Sequence, residues 1–260
     1  MHRSIFLSLP PMEYLRDLDL LSLVLVLFSA FLVGASKAGI KGVGLLIVPL
    51  MAGVFGAKPS TGIVLPMLIM ADVMAVIYYR KSVNWRYIFK LIPWALAGVV
   101  AGVITGDLIN EKYFKWLLGT IIIAMLLMLI NNDRKKSDKI PDNRLFAALM
   151  GTSGGFATMV GNAAGPVFSI YLLSMKLPKR EFIGTGAWFF FVINLTKVPF
   201  HIFVWKTIDL KTLQADLVLL PLIVVGMLAG IRMVNLFPER AYRYFVIIMT
   251  FIAAVIMLLS

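Results

Sequence analysis

Long apolar runs cut apart by short polar loops fill this chain, and no soluble fold can hide that many of them from water. The runs cover residues 18–35, 42–57, 62–79, 87–106, 113–130, 145–175, 182–205, 212–231 and 241–259. A bilayer's hydrocarbon core takes about 20 helical residues, so most runs fit one crossing each. Composition agrees: 60% of the 260 residues are hydrophobic, 15% are charged, and the mean hydropathy is +0.92. A β-barrel would alternate apolar and polar residues in strands of about ten, a pattern these continuous Leu, Ile, Val, Met and Phe runs exclude. The expected fold is an all-α polytopic membrane protein with about eight spanning helices and up to about ten membrane elements. The apolar stretch from Leu18 has no small-residue cleavage site and leads straight into further runs. It reads as the first membrane element rather than a removed signal peptide.

The formal net charge is +12, from 25 Lys and Arg against 13 Asp and Glu. These basic residues gather in the loops, as the positive-inside rule requires, so the charge speaks for topology and against a nucleic-acid partner. The longest polar stretch, Asn131 to Arg144, carries five basic residues and Pro141. It divides the chain into a tail at 1–17, a membrane repeat at 18–130, a polar cytoplasmic linker at 131–144 and a second membrane repeat at 145–260. Arg80, Lys81, Arg86 and Lys90 crowd another loop two runs earlier, the parity that puts both loops on the cytoplasmic face.

Two regions do not fit single crossings. Residues 145–175 are 31 uncharged positions, about 46 Å as one helix, too long for one crossing and too short for two. Residues 18–57 pose the same problem, and each region has a glycine-rich break, Gly34 to Gly44 and Gly151 to Gly165. The halves also align weakly. Gly39 matches Gly161 at an offset of 122, Lys81 to Asn84 match Lys206 to Asp209 at 125, and Pro93, Gly98, Gly102, Glu111 and Lys112 match Pro221, Gly226, Gly230, Glu239 and Arg240 at 128. A slowly growing offset predicts two pseudo-symmetric repeats. Lys176, Lys179 and Arg180 reach the cytoplasmic side only if 145–175 returns to the face it left, so the repeats are expected to be inverted, each beginning with a broken or re-entrant helix.

The first break places Lys37 and Lys41 inside a membrane segment. A charge there costs at least about 2.5–3.5 kcal/mol, so it normally faces protein or a water-filled cavity. Glycine permits a sharp turn, and the restarted helix, beginning near Gly42, offers N–H groups and a dipole that favour an anion. The second break has the same design without charge, with Thr158 and Asn162 as hydrogen-bonding groups and Pro166 suited to a first helical turn. Close helix packing by glycine, snorkelling lysines and a packing role for Ser36 and Thr158 are the competing explanations. Asp72 and Lys197 are related by the offset of 125. A buried ion pair between them, a register lock between repeats, and a coupling proton on Asp72 all stay open. Asn194 lies one turn before Lys197 and shares its face. Trp85 with Tyr87, Tyr113 with Trp116, and Tyr242 with Tyr244 read as interface belts, and His201 as an interfacial side chain.

No His–carboxylate cluster, nucleophile elbow or phosphate-binding loop is present, so neither an enzyme nor an ATP-driven pump is expected, and no cofactor. The absence of cysteine removes thiol chemistry. The glycine-rich break followed by Pro49, the related break from Gly155 to Pro166, the polar central loop and the internal repeat together resemble the TauE/SafE family of sulfite exporter-like permeases. That resemblance implies a secondary carrier in a bacterial inner membrane, exporting small anions such as sulfite, sulfoacetate, or other organosulfonates or carboxylates by ion-coupled alternating access. The chain departs from the family in carrying Lys37 and Lys41 where its first break is often richer in glycine, which leaves the substrate open.

Lys37, Lys41, Ser36 and the helix start at Gly42 are expected to bind the anion, with Thr158 and Asn162 opposite and Asn194 and Lys197 in the same cavity. Asp72 is the candidate coupling residue. The expected partners are the anionic substrate, a coupling proton or cation, membrane lipid and, at most, a second copy of the chain. An anion channel and a non-transporting membrane scaffold are the alternatives.

Overall fold

The computed structural model describes residues 18–106 and 143–259, with Lys112, Trp116, Thr120, Ile123, Leu126, Leu127 and Ile130 as isolated positions between them. The tail at 1–17, most of the run at 113–130 and the linker as far as residue 142 lie outside the described residues. Among the described residues there is no strand. The helices are α1 (Leu20–Lys37), α2 (Gly44–Phe55), α3 (Ala57–Tyr79), α4 (Trp85–Thr105), α5 (Arg144–Gly161), α6 (Gly165–Ser174), α7 (Lys179–Pro199), α8 (Leu210–Leu236) and α9 (Glu239–Leu259). A π-helical turn, Phe200–Val204, extends α7. Five of the described helices are long and apolar enough to cross a membrane: α1, α3, α4, α8, and α7 with its extension. In contrast, α2 and α6 have 12 and 10 residues, about 18 and 15 Å, roughly half the hydrocarbon thickness.

Both long ambiguous regions are divided by a left-handed residue. After α1, Gly39 takes φ +119°, where a side chain would be strained. The Gly39 and Ile40 N–H groups return to the Ser36 and Ala35 carbonyls, the two reverse bonds of a Schellman stop. After α5 the turn is made by Asn162 at φ +53°, a residue type that tolerates this region, and the Ala163 N–H bonds back to the Ala157 carbonyl. Pro166 then stands in the first turn of α6.

The breaks reverse the chain rather than merely bend it. A Cβ on Gly44 would stand 3.6 Å from the Ser36 Cβ, and α2 packs back along α1. Tyr79 Oη, at the end of α3, donates to the Ala38 carbonyl at 2.9 Å, so α1 and α3 point the same way. A short loop sends α4 back. Meanwhile α8 runs alongside α1, with Phe31 against Gly226 and Ala38 against Gly230. Hence α4 and α8 point in opposite directions.

Glycine makes the tightest of these contacts, because backbones can then touch. Gly34 abuts the Ile223 carbonyl, Gly226 the Phe31 carbonyl and Gly230 the Ala38 side chain. Between α5 and α4 the same set recurs: Gly155 abuts the Ala95 carbonyl, Gly98 the Thr152 carbonyl and Gly102 the Met159 side chain. Advancing α1 positions by 121 and α4 positions by 128 converts one set into the other. A further exchange sets Gly62 against Thr207 and Gly184 against Ser82. Ser82 and Thr207 are the residues that the offset of 125 aligns. The basic loops share one end of the bundle, since Gly184 meets Ser82 and the Lys179 N–H donates to Glu239 Oε2 at 2.8 Å.

Two sequence expectations are corrected here. Tyr242 is not part of an interface belt: it is 3% exposed and donates to the Gly39 carbonyl at 2.8 Å, while Tyr244 is exposed. His201 is fully buried, with its Nδ1 2.8 Å from Thr207 Oγ1, so it closes the turn after α7 instead of lying at the interface.

Candidate functional site

Each break leaves a polar residue at the end of one helix and an N-terminus at the start of the next, and the two breaks face each other across one cavity. The cavity has a volume of about 80 Å³. From the first break it is lined by Ser36, Lys37, Lys41 and Gly42, and from the second by Thr158, Asn162 and Pro166. Asn194 and Phe190 of α7 complete the wall. Seven of the nine residues expected from sequence therefore line one space. The other two, Asp72 and Lys197, lie directly behind it, each fully buried.

Lys37 Nζ forms an ion pair with Asp72 Oδ1 at 2.7 Å, and Asn194 Nδ2 donates to Asp72 Oδ2 at 2.7 Å. Lys197 Nζ donates to Asn162 Oδ1 at 2.5 Å and to Thr158 Oγ1 at 3.2 Å. Asn162 in turn donates from Nδ2 to the Thr61 carbonyl at 3.1 Å. Sequence reasoning left open a direct Asp72–Lys197 pair, and that pair is not formed. Each side chain turns instead to the break of its own half. Asp72 meets Lys37, and Lys197 meets Thr158, the position 121 residues after Lys37.

Ser36 lines the cavity, but its Oγ donates to the Val33 carbonyl at 2.9 Å within its own helix. Its hydroxyl keeps acceptor capacity only. Asn194 is 1% exposed, and its Oδ1 has no hydrogen-bond partner among the described residues.

The charge balance is uneven. Lys37 is neutralised by Asp72, and Lys197 is held by two neutral oxygens. Lys41 meets no carboxylate within ion-pair distance among the described residues. Its Nζ lies 5.9 Å from the ring centroids of both Phe182 and Phe190, while Lys37 Nζ lies 4.6 Å from that of Phe190. Aromatic faces stabilise a cation by about 0.5–2 kcal/mol without cancelling its charge. The starts of α2 and α6, neither with a side-chain cap, add the positive ends of two helix dipoles beside the cavity. Such an arrangement is positive in balance and has the chemistry that suits a small anion.

Sequence reasoning missed Asp216. It sits inside the run at 212–231, which by length fits one plain crossing, yet it is fully buried and neither carboxylate oxygen has a partner among the described residues. The available signal was the single acid in that run. Among the described residues no cluster of His, Cys, Asp and Glu could hold a metal ion.

The sequence model of the family described as Sulfite exporter TauE/SafE matches residues 26–257. Comparison with curated proteins and with solved structures gives no match.

Proposed function

This chain belongs to the sulfite exporter TauE/SafE family of membrane transporters, and we propose that it is a secondary carrier exporting small anions across the bacterial inner membrane by alternating access. Its substrate class is sulfite, sulfoacetate, or a related organosulfonate or carboxylate. Lys41 and the start of α2 bind the anion. Thr158, Asn162 and Asn194 shape the opposite wall, and Asp72, tied to Lys37, couples transport to a proton or cation. The observation that carries this is Lys41: a cation without a carboxylate partner among the described residues, lining a cavity beside two helix N-termini. Cavity size supports the substrate class, since about 80 Å³ is far below the roughly 300–1,000 Å³ of pockets for drug-sized ligands.

The architecture behind this is two inverted repeats, each opening with a re-entrant helix pair. Support comes from the opposite run of α4 and α8, from the reversal at both breaks, and from helix contacts that interchange when α1 positions advance by 121 and α4 positions by 128. Inverted repeats around a central site are the arrangement that lets one half rock against the other.

A thermal-shift screen of the purified protein against sulfite, sulfoacetate, taurine, sulfate, acetate and chloride tests the site. A ligand at about 100 times its dissociation constant stabilises by about 2.7 kcal/mol, a readable shift. Stabilisation by sulfite or a sulfonate is expected, and it should vanish in Lys41→Ala. A shift indifferent to that substitution would move the anion away from the first break.

A further inference from the structure

A groove of about 930 Å³ opens between the loop joining α6 to α7 and the turn joining α8 to α9. Four basic side chains, Lys176, Lys179, Arg240 and Arg243, line it against the single acid Glu239. Some of this charge also serves the fold. Lys179 Nζ donates to the Val234 and Phe237 carbonyls, closing the end of α8, and Arg243 Nη1 donates to the Leu173 carbonyl at 3.0 Å. These carbonyl partners carry no charge themselves, and with four basic side chains to one acid in its lining the groove has the composition that attracts anions.

The floor of the groove is Phe182 and Tyr242, each 3% exposed. Their rings meet edge to face with centroids 5.9 Å apart. Lys41, which lines the inner cavity, holds its Nζ 5.9 Å from the Phe182 ring centroid. One phenyl ring thus lines the groove and also reaches the lysine of the cavity. Tyr242 is held against the first break by its bond to the Gly39 carbonyl at 2.8 Å. Gly39 is the residue whose left-handed backbone ends α1.

We infer that the groove is an outer collecting site for small anions and that Phe182 with Tyr242 forms the closed gate between it and Lys41. The inference rests on the anion-carrier function proposed above. Opening the gate requires rotation of one ring and release of one hydrogen bond, both within reach of a rocking motion between halves.

The chain has no cysteine, so an introduced one is its sole thiol. A Cβ at Gly186 would stand 3.5 Å from Lys41 Nζ and 3.5 Å from the Phe168 ring, ordinary contacts, so Gly186→Cys reports on the cavity side of the gate. The protein is placed in vesicles of zwitterionic lipid, so that no anionic headgroup can occupy the groove. Sulfonatoethyl methanethiosulfonate, added from the basic face, should label Gly186→Cys about tenfold faster when Phe182→Ala is added. Tyr242→Phe, which removes only the bond to Gly39, should act in the same direction and stands in if Phe182→Ala does not fold. Arg240→Gln with Lys176→Gln should slow the anionic reagent severalfold and leave the cationic aminoethyl reagent no slower. Labelling that ignores both gate substitutions, or a charge removal that changes both reagents alike, overturns the inference. Protection of the thiol by sulfoacetate, a sulfonate that does not react with the thiosulfonate reagent, reports separately on the carrier function: labelling that follows the gate but ignores sulfoacetate keeps the gate and removes the sulfonate substrate class.

Discussion

Lys37→Met should destabilise the protein by about 3–5 kcal/mol, the usual loss when one partner of a buried ion pair is removed. The lysine side chain is 10% exposed and Asp72 is fully buried, so the remaining carboxylate would keep Asn194 as its one hydrogen-bond partner among the described residues. Water cannot replace the lost charge there at low cost. The double substitution Lys37→Met with Asp72→Asn removes both charges and should recover most of the stability, because neutral pairs of similar volume are tolerated in place of buried ions. Recovered folding with transport still absent would assign the pair to function as well as to fold. Thermal unfolding in detergent, read beside transport in vesicles, separates the two. A fully stable Lys37→Met would mean that Asp72 has another partner and that the pair is not what holds α1 to α3.

Gly155→Val should push α5 from α4 and cost about 3 kcal/mol, the upper end for overpacking, since its Cβ would fall on the Ala95 carbonyl and backbone cannot yield as a side chain can. Gly34→Val should do the same between α1 and α8, where the Ile223 carbonyl occupies the equivalent place. Matching losses at the two positions are the expected outcome of interchangeable contacts. Gly53 serves as the control: nothing lies within 4 Å of its Cβ, so Gly53→Ala should stabilise α2 by up to about 1 kcal/mol. If Gly34→Val were harmless while Gly155→Val unfolded the protein, the two halves would not be equivalent. Unfolding temperatures of the three variants decide the matter.

Much of this site was legible in the sequence because it is written in residues that membranes exclude. Lys37, Lys41, Asp72 and Lys197 are conspicuous charges in apolar runs, and the glycines beside them mark where a helix must stop. The offset that aligned Lys81 with Lys206 also aligned Ser82 with Thr207, the two residues that receive Gly184 and Gly62. What the sequence hid is which neighbour each side chain faces. Asp72 and Lys197 share the offset of 125, yet a shared offset does not mean contact, and each turned to the break of its own half. Tyr242 could not be told from Tyr244 by composition, because rotation about α9 alone decides which ring is buried against Gly39. Asp216 escaped notice because one acid scarcely changes the hydropathy of a long apolar run.

We propose that a single anion site between the two breaks, built on Lys41, performs carrier-type exchange. Counterflow of labelled sulfite in proteoliposomes tests it most directly. Vesicles loaded with unlabelled sulfite should accumulate label transiently and saturably, and Lys41→Gln should abolish the overshoot while leaving the unfolding temperature of the ligand-free protein nearly unchanged. A flux that never saturates and shows no overshoot, or an overshoot undiminished in Lys41→Gln, would mean that Lys41 does not build a carrier site.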